Sequence, residues 1–193
     1  MIDEKVFSDI KEGFESFDQR LDQVIKKSRD VIKLSKQVIY SVNRRDVKKA
    51  GEFFDSMEKG KLEMDSLVEG MPRLRYGGSY KVVCQEYTEA ACYLAFVKGG
   101  NIPSPSDLKV DNEEYLLGIC DLSGELVRKA VNDAINKDYK EVLKARKFLE
   151  GIYGQFLELA PTGELRKKID SVRWNLNKIE DLVYEANIKG FLE

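Results

Sequence analysis

Apolar residues recur every three or four positions along six segments of the chain, and no segment alternates as a strand would. The first and longest stripe is heptad-like and consists of Phe7, Ile10, Phe14, Phe17, Leu21, Val24, Val31 and Val38. Ser28 is its one polar interruption. The stripe predicts a helix over about 3–43, roughly 60 Å long at 1.5 Å per residue. Such a length is typical of an elongated bundle.

The same periodicity predicts five further helices, at about 45–69, 79–98, 111–136, 138–159 and from 161 onward. Gly70 is a candidate C-cap, and Asp111-x-x-Glu114 has the pattern of a capping box. The helix at 79–98 is apolar over most of its circumference, so we expect it to be the most buried. The sequence therefore predicts an all-α fold, one elongated bundle of about six helices that forms a single domain over residues 1–193.

Composition removes several classes of site. The chain has 32 basic and 34 acidic side chains in 193 residues and no histidine, which excludes Ser-His-Asp triads and zinc sites that need imidazole. Cys84, Cys92 and Cys120 lie in apolar runs without CxxC spacing, so we expect buried reduced thiols. The charged N-terminus and the absence of a long apolar run predict a soluble, cytoplasmic protein.

Two pairs of carboxylates are the strongest candidates for chemistry. Glu86 and Glu89 share one face of the third predicted helix among apolar neighbours, with no lysine or arginine three or four positions away. An uncompensated buried carboxylate is costly, so both should be paired, protonated or bound to metal. Asp121 and Glu125 lie one turn apart on the fourth helix. Here ion pairs from Arg128 and Lys129 to Glu125 are a simpler explanation.

Packing of these two helices against each other would bring the four carboxylates together. Oxygen ligands without histidine suit Mg²⁺ or Mn²⁺. A divalent ion held in this way beside a phosphate can orient a water molecule and neutralise the leaving oxygen. The reaction class that these acids indicate is hydrolysis of a phosphodiester or a pyrophosphate.

Three segments resemble the translin family. QEYTEA at 85–90 and EYLLGICDLSGELVRKAVND at 114–133 resemble helices of the translin-associated factor X type. The stretch from LRKK at 165–168 through LNKIEDLVYEANIKGF to Phe191 is similar to the C-terminal helix of the whole family. The resemblance covers about 79–191, and its DLSGE motif is fairly specific.

This resemblance implies about six helices, assembly into a hollow octamer, and binding of single-stranded RNA or DNA. Members of the factor X type are metal-dependent endoribonucleases, and their catalytic acids fall on Glu86, Glu89, Asp121 and Glu125 of this sequence. The translin subunit proper lacks this acidic set. We therefore expect a catalytic, homo-oligomeric member of the family that uses Mg²⁺ or Mn²⁺.

The family's basic and aromatic stretch before the third helix is only partly present, because Gly77 and Gly78 carry no charge. The candidate RNA-contacting side chains are Arg73, Arg75, Tyr80, Lys81 and Arg128. Either Tyr76 or Tyr80 could stack on bases. Ordinary surface charge explains these residues about equally well. The basic run at 166–168 is interpreted as a solvated first turn.

Two other functions remain open. An all-α nucleoside triphosphate pyrophosphohydrolase also pairs an E-x-x-E helix with an acidic motif on the next helix. Its second motif normally spaces the acids by three, whereas Asp121 and Glu125 are four apart. A non-catalytic scaffold that binds single-stranded nucleic acid would leave all four acids idle, which their apolar setting makes costly.

Overall fold

The computed structural model describes residues 3–191, and all regular elements in that range are α-helices. They are α1 (Glu4–Asn43), α2 (Val47–Val68), α3 (Pro72–Arg75), α4 (Gly78–Lys98), α5 (Pro105–Leu108), α6 (Asn112–Ile135), α7 (Tyr139–Phe156) and α8 (Gly163–Ile188). The all-α prediction is confirmed, and the six long helices lie close to their predicted bounds. The four-residue helices α3 and α5 were not predicted.

Local signals explain most helix ends. Asp3 and Asp46 each accept a hydrogen bond from a backbone N–H group in the first turn of α1 and α2. Gly99 ends α4 in the left-handed conformation, with φ of 71°. Each short helix begins at a proline, and Ser104 caps α5 through a reciprocal capping box with Asp107.

The capping box predicted at the start of α6 does not form. Asp111 is the N-cap residue, but its side chain makes no cap hydrogen bond and instead pairs with Arg75 at 3.1 Å. Glu114 pairs with Lys81 at 3.2 Å. The predicted start of α6 is therefore confirmed. The predicted capping box is wrong, because cations from α3 and α4 pair with the two acids that would have formed it.

The hydrophobic core lies between the long helices, with α4 at its centre. About half of the α4 residues are buried, as predicted for this helix. Cys84, Cys92 and Cys120 are buried, unpaired thiols, which also agrees with the sequence. Burial raises the pKa of Cys84 to about 11, so this thiol stays protonated and unreactive at neutral pH.

The long stripe of α1 is divided between core and surface. Val24, Val31 and Val38 are buried, whereas Phe7 and Phe14 are 57% and 60% exposed. The first turns of α1 therefore extend beyond the rest of the bundle with their apolar side chains uncovered. None of the helices described for residues 3–191 is long and apolar enough to cross a membrane.

Candidate functional site

A close approach between α4 and α6 positions the acidic residues. A Cβ atom on Gly118 of α6 would lie 2.6 Å from the backbone oxygen of Gln85 and 2.7 Å from the Cβ of Thr88, both on α4. Only glycine permits this contact without movement of one helix. On α4 the two contact residues directly precede Glu86 and Glu89, and on α6 Gly118 lies one turn before Asp121.

The two α4 acids lie in different environments. Glu86 accepts a hydrogen bond of 2.6 Å from the hydroxyl of Ser35, a fully buried residue of α1. Glu89 has no hydrogen-bond or ion-pair partner of this kind among residues 3–191. Burial, followed by the charges of Glu86, Asp121 and Glu125, raises the pKa of Glu89 to about 8. The carboxylates predicted from sequence to meet are therefore close enough to repel one another.

The two α6 acids are held from opposite directions. Asp121 forms an ion pair with Lys168 of α8. Glu125 accepts a hydrogen bond of 2.8 Å from the side-chain amide of Asn43, at the end of α1. Tyr93 in turn donates to the Asn43 side-chain oxygen at 2.7 Å. These contacts join four helices around one half-buried group of acids, which we call the acid cluster: Glu86, Glu89, Asp121 and Glu125.

Two sequence interpretations of neighbouring charges need correction. Arg128 does pair with Glu125, at 3.5 Å, but Lys129 pairs with Asp133 and Glu141 instead. Lys168 contacts the acid cluster through Asp121 and is not part of a solvated first turn as expected, because the second turn of α8 faces α6. The positive charge of Lys168 also lowers the pKa of Glu89 and so partly offsets the rise caused by burial and by the other acids.

As the side chains stand, no three acidic or cysteine residues in the described range are arranged to hold one metal ion. Ser35, Asn43 and Lys168 each engage one of the acids. The donor chemistry still fits a hard divalent cation, because every ligand is oxygen and the cluster carries more negative charge than its neighbours neutralise. A metal would require these carboxylates to change rotamer.

The five predicted RNA-contacting residues have different surroundings. Arg128 is exposed, and Arg73 is exposed with its guanidinium 4.3 Å from the Phe17 ring centroid. Arg75 and Lys81 are engaged by acids at the start of α6. Tyr80 is only 4% exposed, and its hydroxyl donates to Asp65 at 2.5 Å.

Stacking of a base on Tyr80 is therefore not compatible with its burial. Its ring packs beside the buried Lys61, whose ammonium lies 5.2 Å from the ring centroid. Tyr76, the other tyrosine considered from sequence, is 62% exposed and free to stack.

Comparison with known proteins decides the family. The translin family model matches residues 19–190. The chain belongs to the translin family. This match includes the acid cluster and every predicted RNA-contacting residue.

Relatives of both translin types are similar to the chain. Translin-associated protein X of Pongo abelii is 25% identical over 229 aligned positions, covering 92% of this chain and 78% of the relative. Translin of Gallus gallus is 26% identical over 204 positions, covering 94% and 86%. Identity alone therefore does not separate the two types.

Solved translin-family structures share the fold. The crystal structure of apo-NeC3PO matches with a TM-score of 0.85 and 28% identity, over 92% of this chain and 95% of that chain. The AfC3PO–duplex RNA complex matches with a TM-score of 0.88 and 21% identity, over 97% and 99%. The all-α bundle is thus the translin fold over nearly its whole length.

Proposed function

We propose that this protein is an Mg²⁺- or Mn²⁺-dependent endoribonuclease that cuts single-stranded RNA within an assembly of several copies. The observation that carries the proposal is the acid cluster, in which burial and the charges of three neighbouring carboxylates raise the pKa of Glu89 to about 8. A protein that did not use these acids would gain stability by losing them. RNA as the ligand draws support from AfC3PO, a similar structure described as a complex with duplex RNA.

The residues that would hold the metal are the four acids of the cluster. When bound, Mg²⁺ or Mn²⁺ would neutralise phosphate oxygens and lower the pKa of a water molecule. Ser35 and Asn43 orient Glu86 and Glu125 by hydrogen bonds, as outer-shell partners commonly do. Lys168 balances the charge of Asp121 in the metal-free protein, and Glu89 holds a proton there at neutral pH.

The RNA would reach the acid cluster past Arg128, the exposed cation next to Glu125. Arg73 and Tyr76 are the other exposed groups that could contact backbone and base. Arg75 and Lys81 would first have to exchange their acid partners on α6 for phosphate. We expect them to contribute less to binding for that reason.

Assembly is supported by apolar surface that one copy does not cover. Phe7, Ile10 and Phe14 are exposed along α1, and Trp174 and Tyr184 of α8 are 69% and 66% exposed. Contiguous exposed apolar side chains commonly mark contact surfaces between subunits. We propose a homo-oligomer, with the octamer as the form that the family resemblance implies.

The decisive experiment measures internal cleavage of a labelled single-stranded RNA of about 15 to 30 nucleotides. We expect cleavage with Mg²⁺ or Mn²⁺, none with EDTA, and a loss of orders of magnitude in Glu89→Gln with the fold intact. Duplex RNA of the same sequence should resist, and free nucleoside triphosphates should remain intact. Release of pyrophosphate from nucleotides would contradict the proposed nuclease activity. Binding of RNA without cleavage by either wild type or Glu89→Gln would also contradict it.

A further inference from the structure

A groove of about 890 Å³ runs between α1 and the first turns of α2. Its basic lining residues are Arg29, Lys33, Lys36, Arg44 and Lys49, against the single acid Asp46. The chain as a whole has a net charge of −2. The groove is therefore a local concentration of positive charge on a slightly acidic protein.

Three of these cations are not neutralised by the protein itself. Arg29, Lys33 and Lys36 are exposed, and none of them pairs with a carboxylate in the part of the chain that the structure describes. They are spaced four and three residues apart, so they lie on one face of α1 and repel one another. This arrangement costs stability and favours a ligand with several negative charges.

Aromatic rings lie among the same cations. Tyr40 is 62% exposed, and the Arg44 guanidinium lies 5.7 Å from its ring centroid. The Lys49 ammonium lies 5.8 Å from the ring centroid of Phe53. Cations for phosphates beside aromatic rings for bases are the combination by which proteins bind single-stranded nucleic acid.

The groove and the acid cluster use different faces of α1. Ser35 and Asn43 point toward the acid cluster, whereas Lys33, Lys36 and Tyr40 line the groove. Along α1 the groove extends from Arg29 to Arg44, roughly 22 Å at 1.5 Å per residue. This length suits several nucleotides of an extended strand.

We propose that the groove is a second single-stranded RNA site, which anchors the strand by its phosphates away from the carboxylates that cut it. The choice of RNA as the polyanion rests on the proposed function. Because the groove does not contact the cutting site of its own chain, its loss should raise KM for RNA and leave kcat unchanged.

The test compares two variants with the same change in charge. Lys33→Glu/Lys36→Glu alters the groove, whereas Lys48→Glu/Lys59→Glu alters two exposed lysines of α2 that do not line it. Binding of a labelled 20-nucleotide single-stranded RNA is measured in EDTA between about 50 and 200 mM salt. We expect at least tenfold weaker binding in the groove variant alone, with a log–log salt slope smaller by about 1.4.

The aromatic part is tested at Tyr40. Tyr40→Ala should weaken binding at least fivefold and Tyr40→Phe should retain it, because the ring and not the hydroxyl stacks on a base. Light scattering shows whether each variant keeps the wild-type assembly. The proposal that the groove binds RNA would be overturned if the two charge variants bound RNA with equal affinity, whether normal or weakened. A groove variant with a lower kcat and an unchanged KM would also overturn it.

The proposed nuclease and the groove fail in different ways. If wild type binds the RNA through the groove but does not cut it with Mg²⁺ or Mn²⁺, the proposed RNA site in the groove is supported and the proposed nuclease activity is wrong. If wild type cuts the RNA and the groove variant matches its control in binding and KM, the proposed nuclease activity is supported and the proposed RNA site in the groove is wrong.

Discussion

At the scale of single residues, the charge of Glu89 links the site to pH. The pKa of Glu89 is raised to about 8 in the folded protein, against an ordinary value of about 4.3 in an unfolded chain. Between these values the folded state binds more protons than the unfolded state, so stability falls as pH rises. In EDTA, we expect the free energy of unfolding of wild type to decrease from pH 5 to pH 8.

Glu89→Gln should remove much of this decrease, because an amide cannot ionise. Urea unfolding at pH 5 and pH 8 in EDTA measures the effect, with Glu158→Gln at an exposed position as the control. The Gln variant should be the more stable protein at pH 8 and similar to wild type at pH 5. An identical pH dependence in wild type and Glu89→Gln would contradict the raised pKa.

Lys168 gives a second prediction, because it is the internal cation of the acid cluster. Lys168→Met leaves Asp121 without its counter-charge, so a divalent cation should bind the cluster about tenfold more tightly. Titration with Mn²⁺, followed by calorimetry, measures the change. Lys167→Met, at the exposed neighbouring position, is the matched control. Unchanged or weaker Mn²⁺ affinity in Lys168→Met would show that Lys168 does not compete with the metal.

The four acids were predicted from the sequence, whereas three of their partners, Lys168, Asn43 and Ser35, were missed for a physical reason. A charged residue in an apolar part of a helix can be predicted from the sequence, because the residues three and four positions away share its face. Lys168 and Asn43 reach the acids only through tertiary packing, across 47 and 82 positions of sequence. Ser35 could have been predicted, because it lies one heptad after Ser28 and is a second polar residue in the stripe of α1, which was expected to contain only Ser28.

At the scale of elements, the contact between α4 and α6 depends on Gly118. Gly118→Ala would place a methyl group 2.6 Å from the Gln85 backbone oxygen, so the helices must separate. We expect a loss of about 1–3 kcal/mol in the free energy of unfolding and impaired cleavage, because the two pairs of acids move apart.

Gly124→Ala on the same helix is the matched control. Its Cβ would meet only the Asn175 side-chain nitrogen, at 3.9 Å, and alanine favours the helix by up to about 1 kcal/mol. Denaturant unfolding and RNA cleavage of both variants measure the difference. If Gly118→Ala kept the stability and the cleavage rate of wild type, the prediction would be wrong, because α6 would then accommodate the methyl group without loss of stability.

Periodicity defined the long helices well, because each buries a continuous stripe. It could not reveal α3 and α5, since a helix of four residues spans only about one turn and so shows no repeat. The role of Asp111 and Glu114 was misassigned for a related reason: Arg75 and Lys81 reach them only after the chain has folded.

At the scale of the whole molecule, the exposed stripe of α1 predicts how copies associate. Phe14→Glu should weaken assembly without unfolding the bundle, because Phe14 is 60% exposed in one copy. Ser16→Glu adds the same charge on the opposite face of the helix and should have no effect. Light scattering at micromolar protein measures the mass; a wild-type mass of 22.1 kDa would contradict any oligomer.

The uncovered start of α1 also affects the order in which the chain becomes rigid. A short helical segment without tertiary contacts is marginal in water, so the turns that carry Phe7 and Phe14 should open often in a lone copy. Their backbone amides would then exchange with deuterium quickly at high dilution and slowly in the assembled protein. Each subunit would complete its own longest helix only when it meets a neighbour.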